Sequence, residues 1–155
     1  MMKAVEWLGH RIRNMAALAR INTTTQAAGV MRAQLQLGTD DVRDNTPVLS
    51  LYGLAARPLA GADALVIFLG GDRGAGVVVA TGDRRHQGPA LAEGEVALFH
   101  HAGNAWVILT NDGKLTVKSS VQVVVESPAI LLGGTGASKF VKLADGSNST
   151  TTKAL

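Results

Sequence analysis

The hydrophobic positions of the first twenty residues repeat with the period of a helix. Apolar side chains recur in steps of three and four, at Val5, Leu8, Ile12, Met15 and Ala19. This spacing places them on one face of an α-helix, so we predict an amphipathic helix over residues 2–19, with Asn22 as its terminator. A helix this short is not stable alone. We therefore expect it to pack either on its own domain or on a partner.

From residue 28 onward the period changes to two. Residues 31–37 alternate apolar odd positions with polar even ones, which predicts a half-buried strand. Turn residues at 40–47 and 57–61, a glycine-rich loop at 70–76 and a polar stretch at 81–94 separate four further predicted strands. These strands span residues 48–54, 65–69, 77–80 and 95–100. Five short strands in succession predict a small closed or Greek-key barrel, most simply of the OB type.

The following segment has a longer alternating pattern. A strand predicted at 105–110 runs into Asn111-Asp112-Gly113, a strong hairpin signal. One face of the chain after this turn is aliphatic, interrupted by Ser119. Pro128 then shifts the register, and two more aliphatic positions follow before Gly133-Gly134. The aliphatic positions are Leu115, Val117, Val121, Val123, Val125, Ile130 and Leu132.

An aliphatic ribbon of this kind needs a cover. A two-stranded hairpin is marginal in water, and a long apolar edge invites aggregation. Burial of each Val side chain contributes about 1.5–3 kcal/mol, so three copies winding around one axis give a stable arrangement. We predict that the seven aliphatic residues line such a trimer axis. The alternative from the pattern alone is that these strands complete the barrel or form a sandwich within one chain.

The composition excludes several classes of protein. The 155 residues contain no cysteine, so disulfides, thiolate zinc sites and cysteine nucleophiles are ruled out. The longest apolar run, residues 64–69, is far shorter than the ~20 residues that cross a bilayer. No secretory signal is visible in the N-terminal residues. We expect a protein that is made and assembled in a cytoplasm.

Neither charge nor motifs indicate an active site. The net charge of +3 comes from 15 basic and 12 acidic residues that are mostly interleaved, which is typical of a solvated surface. The glycine-rich stretch 71–76 lacks the Lys-Ser/Thr ending of a phosphate loop. The acids Asp72, Asp83, Glu93 and Glu95 lie among Gly and Arg, a setting typical of solvated loops rather than of a glycosidase pair. We predict a protein that is not an enzyme.

The order of these parts resembles the central spike proteins of Mu-like contractile phage baseplates. The resemblance covers nearly the whole chain, and its elements are distinctive as a series although each is weak alone. They are the N-terminal helix, the barrel, Gly82-Asp83-Arg84-Arg85-His86, Glu95-Val96-Ala97-Leu98-Phe99, the stretch from Asn111 to Lys118, and Gly133-Gly134.

The resemblance implies an all-β homotrimer with four parts. These are an N-terminal amphipathic helix (1–21), an OB-fold-like barrel (22–103), an intertwined triple-stranded β-helix (104–136) and an apex or tail segment (137–155). It implies a structural role in the virion, at the tip of the tail baseplate. The spike would cap the tail tube, bind a baseplate hub protein, and pierce the host outer membrane when the sheath contracts. The expected hub contacts are Val5, Leu8, Ile12 and Arg13.

One departure from the family concerns metal. Several relatives carry a His-x-His pair near the tip that binds iron on the threefold axis, but no histidine follows Gly103 here. We therefore expect no cofactor, although a tip ion held by other ligands stays open. The competing hypothesis is a single-stranded nucleic-acid binder, because OB-type barrels often have that role. The few aromatic residues, among them Tyr52, Phe68, Phe99 and Trp106, lie in apolar strand contexts, so we expect no nucleic-acid partner.

Overall fold

The computed structural model describes residues 2–128. Contacts divide the chain into two units, residues 1–120 and 121–155. Residues 121–128, the described part of the second unit, form neither helix nor strand. The elements of the first unit are α1 (Met2–Arg13), β1 (Ala16–Ala27), β2 (Val30–Gly38), β3 (Asp41–Pro47), β4 (Asp63–Phe68), a 3-10 turn (Leu69–Gly71), β5 (Gly76–Gly82), β6 (Val96–Phe99), β7 (Ala105–Leu109) and β8 (Leu115–Ser119).

The first sheet is antiparallel and has the strand order β3-β2-β1-β4-β5. Its central strand β1 is long enough to pair with β4 through residues 16–20 and with β2 through residues 20–27. Val48, just after β3, forms a parallel bridge with Val78 of β5. The Leu49 amide donates to the Val78 carbonyl at 2.9 Å. The sheet therefore curves until its two outer strands meet.

The core lies inside this curved sheet. Alternate residues of each strand point inward, as the two-residue period of a strand requires. In β2 these are Met31, Ala33 and Leu35, and the intervening polar residues face outward. Each large aliphatic side chain that is fully buried contributes about 1.5–3 kcal/mol. The largest fully buried side chains are Ile21, Leu35, Val66, Phe68 and Val78, and small residues at Ala19, Ala33, Ala62 and Ala64 fill the space between them.

The N-terminal helix is shorter than its predicted span of 2–19. It ends at Arg13, where the Asn14 amide donates to the carbonyls of both His10 and Arg11. The residues after Met15 form β1 instead of continuing the helix. Ala19 and Ile21 are buried on the inner face of the sheet, so pairing with strands on both sides overrides the helical spacing. Asn22, the predicted terminator, lies inside β1.

The prediction of a strand over 48–54 was also wrong. The strand lies just before it, in β3, where sequence reasoning placed turn residues. The acids of β3 are satisfied on the outer side of the sheet, because Asp41 forms ion pairs with Arg43 at 2.9 Å and Arg73 at 2.7 Å. The Gln34 amide donates to Asp44 at 2.6 Å. Such partners let a polar segment form the outer strand β3 of the sheet.

A second sheet contains β6, β7 and β8 in sequential antiparallel order. The predicted strand at 95–100 is present, but it belongs to this sheet and not to the five-stranded one. The strands predicted at 65–69, 77–80 and 105–110 are confirmed with small changes at their ends. The alternating segment 115–125 forms a strand only as far as Ser119. No helix in the described part of the chain is long and apolar enough to cross a membrane.

Helix α1 is held through its C-terminal end. Arg11 Nε donates to the Gly70 carbonyl at 2.6 Å. The next residue, Gly71, has a φ of 72° and lies so close to the Arg11 backbone that a Cβ there would overlap it. The helix therefore docks on the turn between β4 and β5 because this position is glycine.

We predict that Gly71→Ala releases α1 from this turn. Its left-handed φ costs an alanine of order 1–3 kcal/mol, and the added methyl overlaps the Arg11 backbone. Faster amide hydrogen exchange over residues 2–13 would report the release. Gly29→Ala is a matched control, because its φ of 77° is similar and a Cβ there meets nothing within 4 Å. Equal exchange of α1 in the two variants would contradict the docking contact.

Candidate interaction surfaces

The pairing of β6, β7 and β8 gathers six aliphatic side chains on one face of the second sheet. Directly paired residues of antiparallel strands point to the same side. Two rows of three residues result, one across the middle of the sheet and one at its end. The rows are Val96, Leu109 and Leu115, and Leu98, Val107 and Val117. We call this surface the aliphatic face.

The aliphatic face is open to solvent in the single chain. Five of its six side chains are more than half exposed, and only Val107 is less exposed. None of the residues of the three strands is buried. Contiguous apolar patches of this kind on soluble proteins mark interaction surfaces. The aliphatic face is therefore the strongest candidate site in the described part of the chain.

The opposite face of the same sheet has a different character. Lys118 Nζ lies 4.5 Å from the centre of the Trp106 ring, a cation–π contact. Trp106 pairs with Phe99, and a Cβ at Gly88 would come within 2.8 Å of the Phe99 ring. The loop before β6 thus passes against this aromatic face. Because this loop covers part of the aromatic face, the aliphatic face is the side of the sheet that is available to a partner.

The predicted axis residues fall into three groups. Leu115 and Val117 lie on the aliphatic face. Val121, Val123 and Val125 are exposed residues of the second unit, and Ile130 and Leu132 lie outside the described residues. Whether any of them lines an axis stays a prediction.

Sequence reasoning missed four members of the aliphatic face. It treated β6 as part of the barrel and did not align β7 with the strands on either side. The Asn-Asp-Gly turn held the necessary signal, because a short hairpin loop fixes the register of its strands. The missed residues are Val96, Leu98, Val107 and Leu109.

The predicted hub-contact residues lie on α1. Val5, Leu8 and Ile12 are all more than half exposed, so the apolar stripe of the helix does not pack on the five-stranded sheet. Arg13 Nε donates to the Gly9 carbonyl at 3.3 Å within the helix. Sequence reasoning missed Trp7, which is also exposed and lies 4.8 Å below the Arg11 guanidinium.

The acidic and basic residues at the end of β5 form structural ion pairs. Asp63 lies between Arg84 at 2.9 Å and Arg20 at 3.7 Å. Asp83 pairs with Arg85 at 2.7 Å, and Arg85 also donates to the Ala60 carbonyl at 2.8 Å. The hydrogen bond from Arg84 lowers the pKa of Asp63, and that from Arg85 lowers the pKa of Asp83 strongly. These charges tie the loop after β5 to the sheet.

The histidines cluster beside the same loop. The rings of His100 and His101 are 4.2 Å apart, and those of His86 and His101 are 5.4 Å apart. His100 Nδ1 lies 3.3 Å from the Asn104 side-chain oxygen. Over residues 2–128, no group of three or more His, Asp or Glu side chains is placed to hold a metal ion. The tip residues lie outside that range, so a tip ion stays an open expectation.

The nucleic-acid hypothesis needs an exposed aromatic residue beside a basic residue that can contact phosphate. Tyr52 is fully exposed in the turn from Leu51 to Leu54. The neighbouring groove of about 600 Å³ is lined by mainly apolar side chains. Its one basic residue, Arg57, donates to the hydroxyl and carbonyl of Thr24 at 3.0 and 2.7 Å. A stacking platform beside an available phosphate contact is therefore not formed here.

Comparison with known proteins shows a similarity to phage tail proteins. The family described as Bacteriophage Mu Gp45, N-terminal, matches residues 19–85, which span most of the five-stranded sheet. A curated relative, the baseplate puncturing device gp45 of Escherichia phage Mu, is 34% identical over 110 residues. This alignment covers 71% of the chain and 55% of the relative. The two matches confirm the resemblance to Mu-like baseplate puncturing proteins.

We predict that Asp83→Asn lowers the thermal midpoint at neutral pH and that its effect fades in acid. A depressed native pKa stabilises the fold above the unfolded value of ~3.9 and is lost as the pH falls towards the native pKa. The difference from the unchanged protein should therefore narrow below about pH 4. Asp40→Asn is the control, because Asp40 is exposed and belongs to none of the ion pairs described above. A constant difference between pH 7 and 2.5 would contradict the assignment.

Proposed function

We propose that this chain is the central spike of a contractile phage-tail baseplate and acts as a homotrimer. The observation that carries the proposal is the exposed aliphatic face, taken together with the similarity to the baseplate puncturing device of phage Mu. The chain spans about half the length of that relative. The role of the whole relative therefore enters here as a proposal for this chain.

Trimerisation removes the aliphatic face from water. Three copies of the face meet around a common axis, and the small branched side chains suit a narrow interior. Full burial of one Val or Leu contributes about 1.5–3 kcal/mol, so even partial burial of six per chain outweighs the entropy of association. The remaining predicted axis residues, Val121, Val123, Val125, Ile130 and Leu132, would extend this dry core as an intertwined β-helix.

The five-stranded sheet supplies the base of the spike. We propose an OB-type barrel for it, a fold that is supported by its strand order and by the Val48–Val78 bridge that joins β3 to β5. In this arrangement the barrel caps the tail tube, and α1 contacts a baseplate hub protein through Val5, Leu8, Ile12 and Arg13. The domain limits of 1–21, 22–103, 104–136 and 137–155 stay part of the proposal.

The proposed mechanical role requires a rigid protein and no catalytic activity. Sheath contraction supplies the work, and the spike passes through the host outer membrane while it remains folded. Strands paired between three chains have no open edges at which unfolding can start. We propose a non-enzymatic virion protein that is assembled in the host cytoplasm and needs no cofactor. The single-stranded nucleic-acid binder is the less favoured alternative, since Arg57 and Tyr52 do not form a shared site.

We predict that the purified chain is a trimer at micromolar concentration. Sedimentation equilibrium should give three times the chain mass of 16.1 kDa, with no salt-dependent shift of a labelled oligonucleotide. A stable monomer with an exposed aliphatic face would contradict the proposed assembly. An oligonucleotide shift that weakens with salt would favour the alternative.

We predict that Val117→Asp abolishes trimer formation. It would bring three carboxylates into a dry core without partners, which costs several kcal/mol. Thr116→Asp is the matched control, because Thr116 is the neighbouring residue on the opposite face and is exposed. The same comparison applies to Val123→Asp and Gln122→Asp in the segment after β8. A trimer unaffected by Val117→Asp would exclude an axial position for the aliphatic face.

A further inference from the structure

The net positive charge of the chain is concentrated at its N-terminal end. Residues 1–20 contain four Lys or Arg and one Glu, whereas the other 135 residues contain eleven of each sign. Three of the four basic residues, Lys3, Arg11 and Arg13, lie within α1. The balanced remainder has no overall electrostatic preference for a partner. Helix α1 does have an electrostatic preference for an acidic partner, because opposite charge across an interface gives specificity and orientation.

The same helix presents an apolar stripe that its own unit does not cover. Val5, Leu8 and Ile12 lie on one side at helical spacing and are each more than half exposed. Arg13 flanks this stripe on the side of Val5 and is exposed. An amphipathic helix of this type binds with its apolar face in a groove. Its charged residues form ion pairs at the edge of that groove.

The orientation of α1 is fixed before any partner binds. The hydrogen bond from Arg11 to Gly70 and the close approach of Gly71 hold its C-terminal end on the turn after β4. Twelve residues make a rod about 18 Å long. A short rod that is already oriented loses little entropy on binding, which suits a shaped protein groove. A bilayer surface requires no such fixed orientation, and a nucleic acid offers no apolar groove for the stripe.

We propose that α1 docks in an apolar groove bordered by carboxylates on a different protein of the baseplate. This inference rests on the proposed spike function and adds the chemistry of the partner. Val5, Leu8 and Ile12 fill the groove, and Arg13 pairs with an Asp or Glu at its rim. Outside its first twenty residues, a second copy of this chain carries eleven residues of each sign and so offers the helix no net electrostatic attraction.

Photo-crosslinking in assembled particles tests the proposal. A photoreactive amino acid at position 8 should crosslink to one peptide of another baseplate protein, and that peptide should contain both apolar and acidic residues. The same probe at His10, an exposed residue on the side of the helix opposite the stripe, should crosslink at least fivefold less. Crosslinks from position 8 only to copies of this chain, or to no protein at all, would overturn the inference.

Charge variants provide the second measurement. In the probe-carrying chain, Arg13→Glu should reduce the crosslink yield at least tenfold, whereas Arg13→Lys should retain most of it. Equal yields in the two variants would contradict the ion pair at the rim. Incubation of the purified chain with phosphatidylethanolamine–phosphatidylglycerol vesicles gives the competing outcome. Binding to them that Leu8→Glu abolishes would assign the helix to a membrane instead.

The outcomes separate this inference from the proposed function. Particles that contain the chain but show no crosslink from position 8 to another protein contradict only the docking of α1. Absence of the chain from infectious particles contradicts the spike role and the docking together. The thermal midpoint of each purified variant, compared with that of the unchanged chain, shows whether the fold is intact.

Discussion

The exposure of six aliphatic side chains on a three-stranded sheet is the physical constraint on which the proposed assembly depends. Exposure of such a surface to water costs roughly 25 cal/mol of free energy for each Å². The opposite side of the sheet is partly covered, because the Gly88 loop runs against Phe99. The aliphatic face has no such cover within residues 2–120. The multimer proposed above would cover this face without any change in the sheet.

The five-stranded sheet solves the same problem in a different way. It curves until β3 and β5 meet through Val48 and Val78, so its inner face is buried within one chain. Ion pairs around Asp41, Asp63 and Asp83 fasten its loops without contributing to the core. One chain therefore contains one sheet whose inner face is buried within the chain and a second sheet whose aliphatic face is exposed. This division fits the proposed spike, in which the base is formed within one chain and the shaft between chains.

The two interaction surfaces make different demands on their partners. The aliphatic face carries no charge, and in the proposed trimer its partner is the same apolar surface of another copy. Helix α1 combines an apolar stripe with three of the four basic residues of the first twenty positions, and the partner proposed for it is acidic. In the proposed assembly, trimer formation and attachment to the baseplate would therefore use separate surfaces.

The sequence by itself determined the β-rich class, the strands with clear alternation such as residues 31–37, and the family to which the chain is similar. These follow from local periodicity and motif order. It also placed Leu115 and Val117 on one face, because side chains alternate along a strand.

The sequence did not determine that Ala16–Ala27 is a strand or that Asp41–Pro47 replaces the strand expected at 48–54. Burial of Ala19 and Ile21 and the pairing of Asp41 with two arginines decided those points. Only the tertiary register of β6 and β7 added Val96, Leu98, Val107 and Leu109 to the aliphatic face, because residues distant in the chain become neighbours through strand pairing.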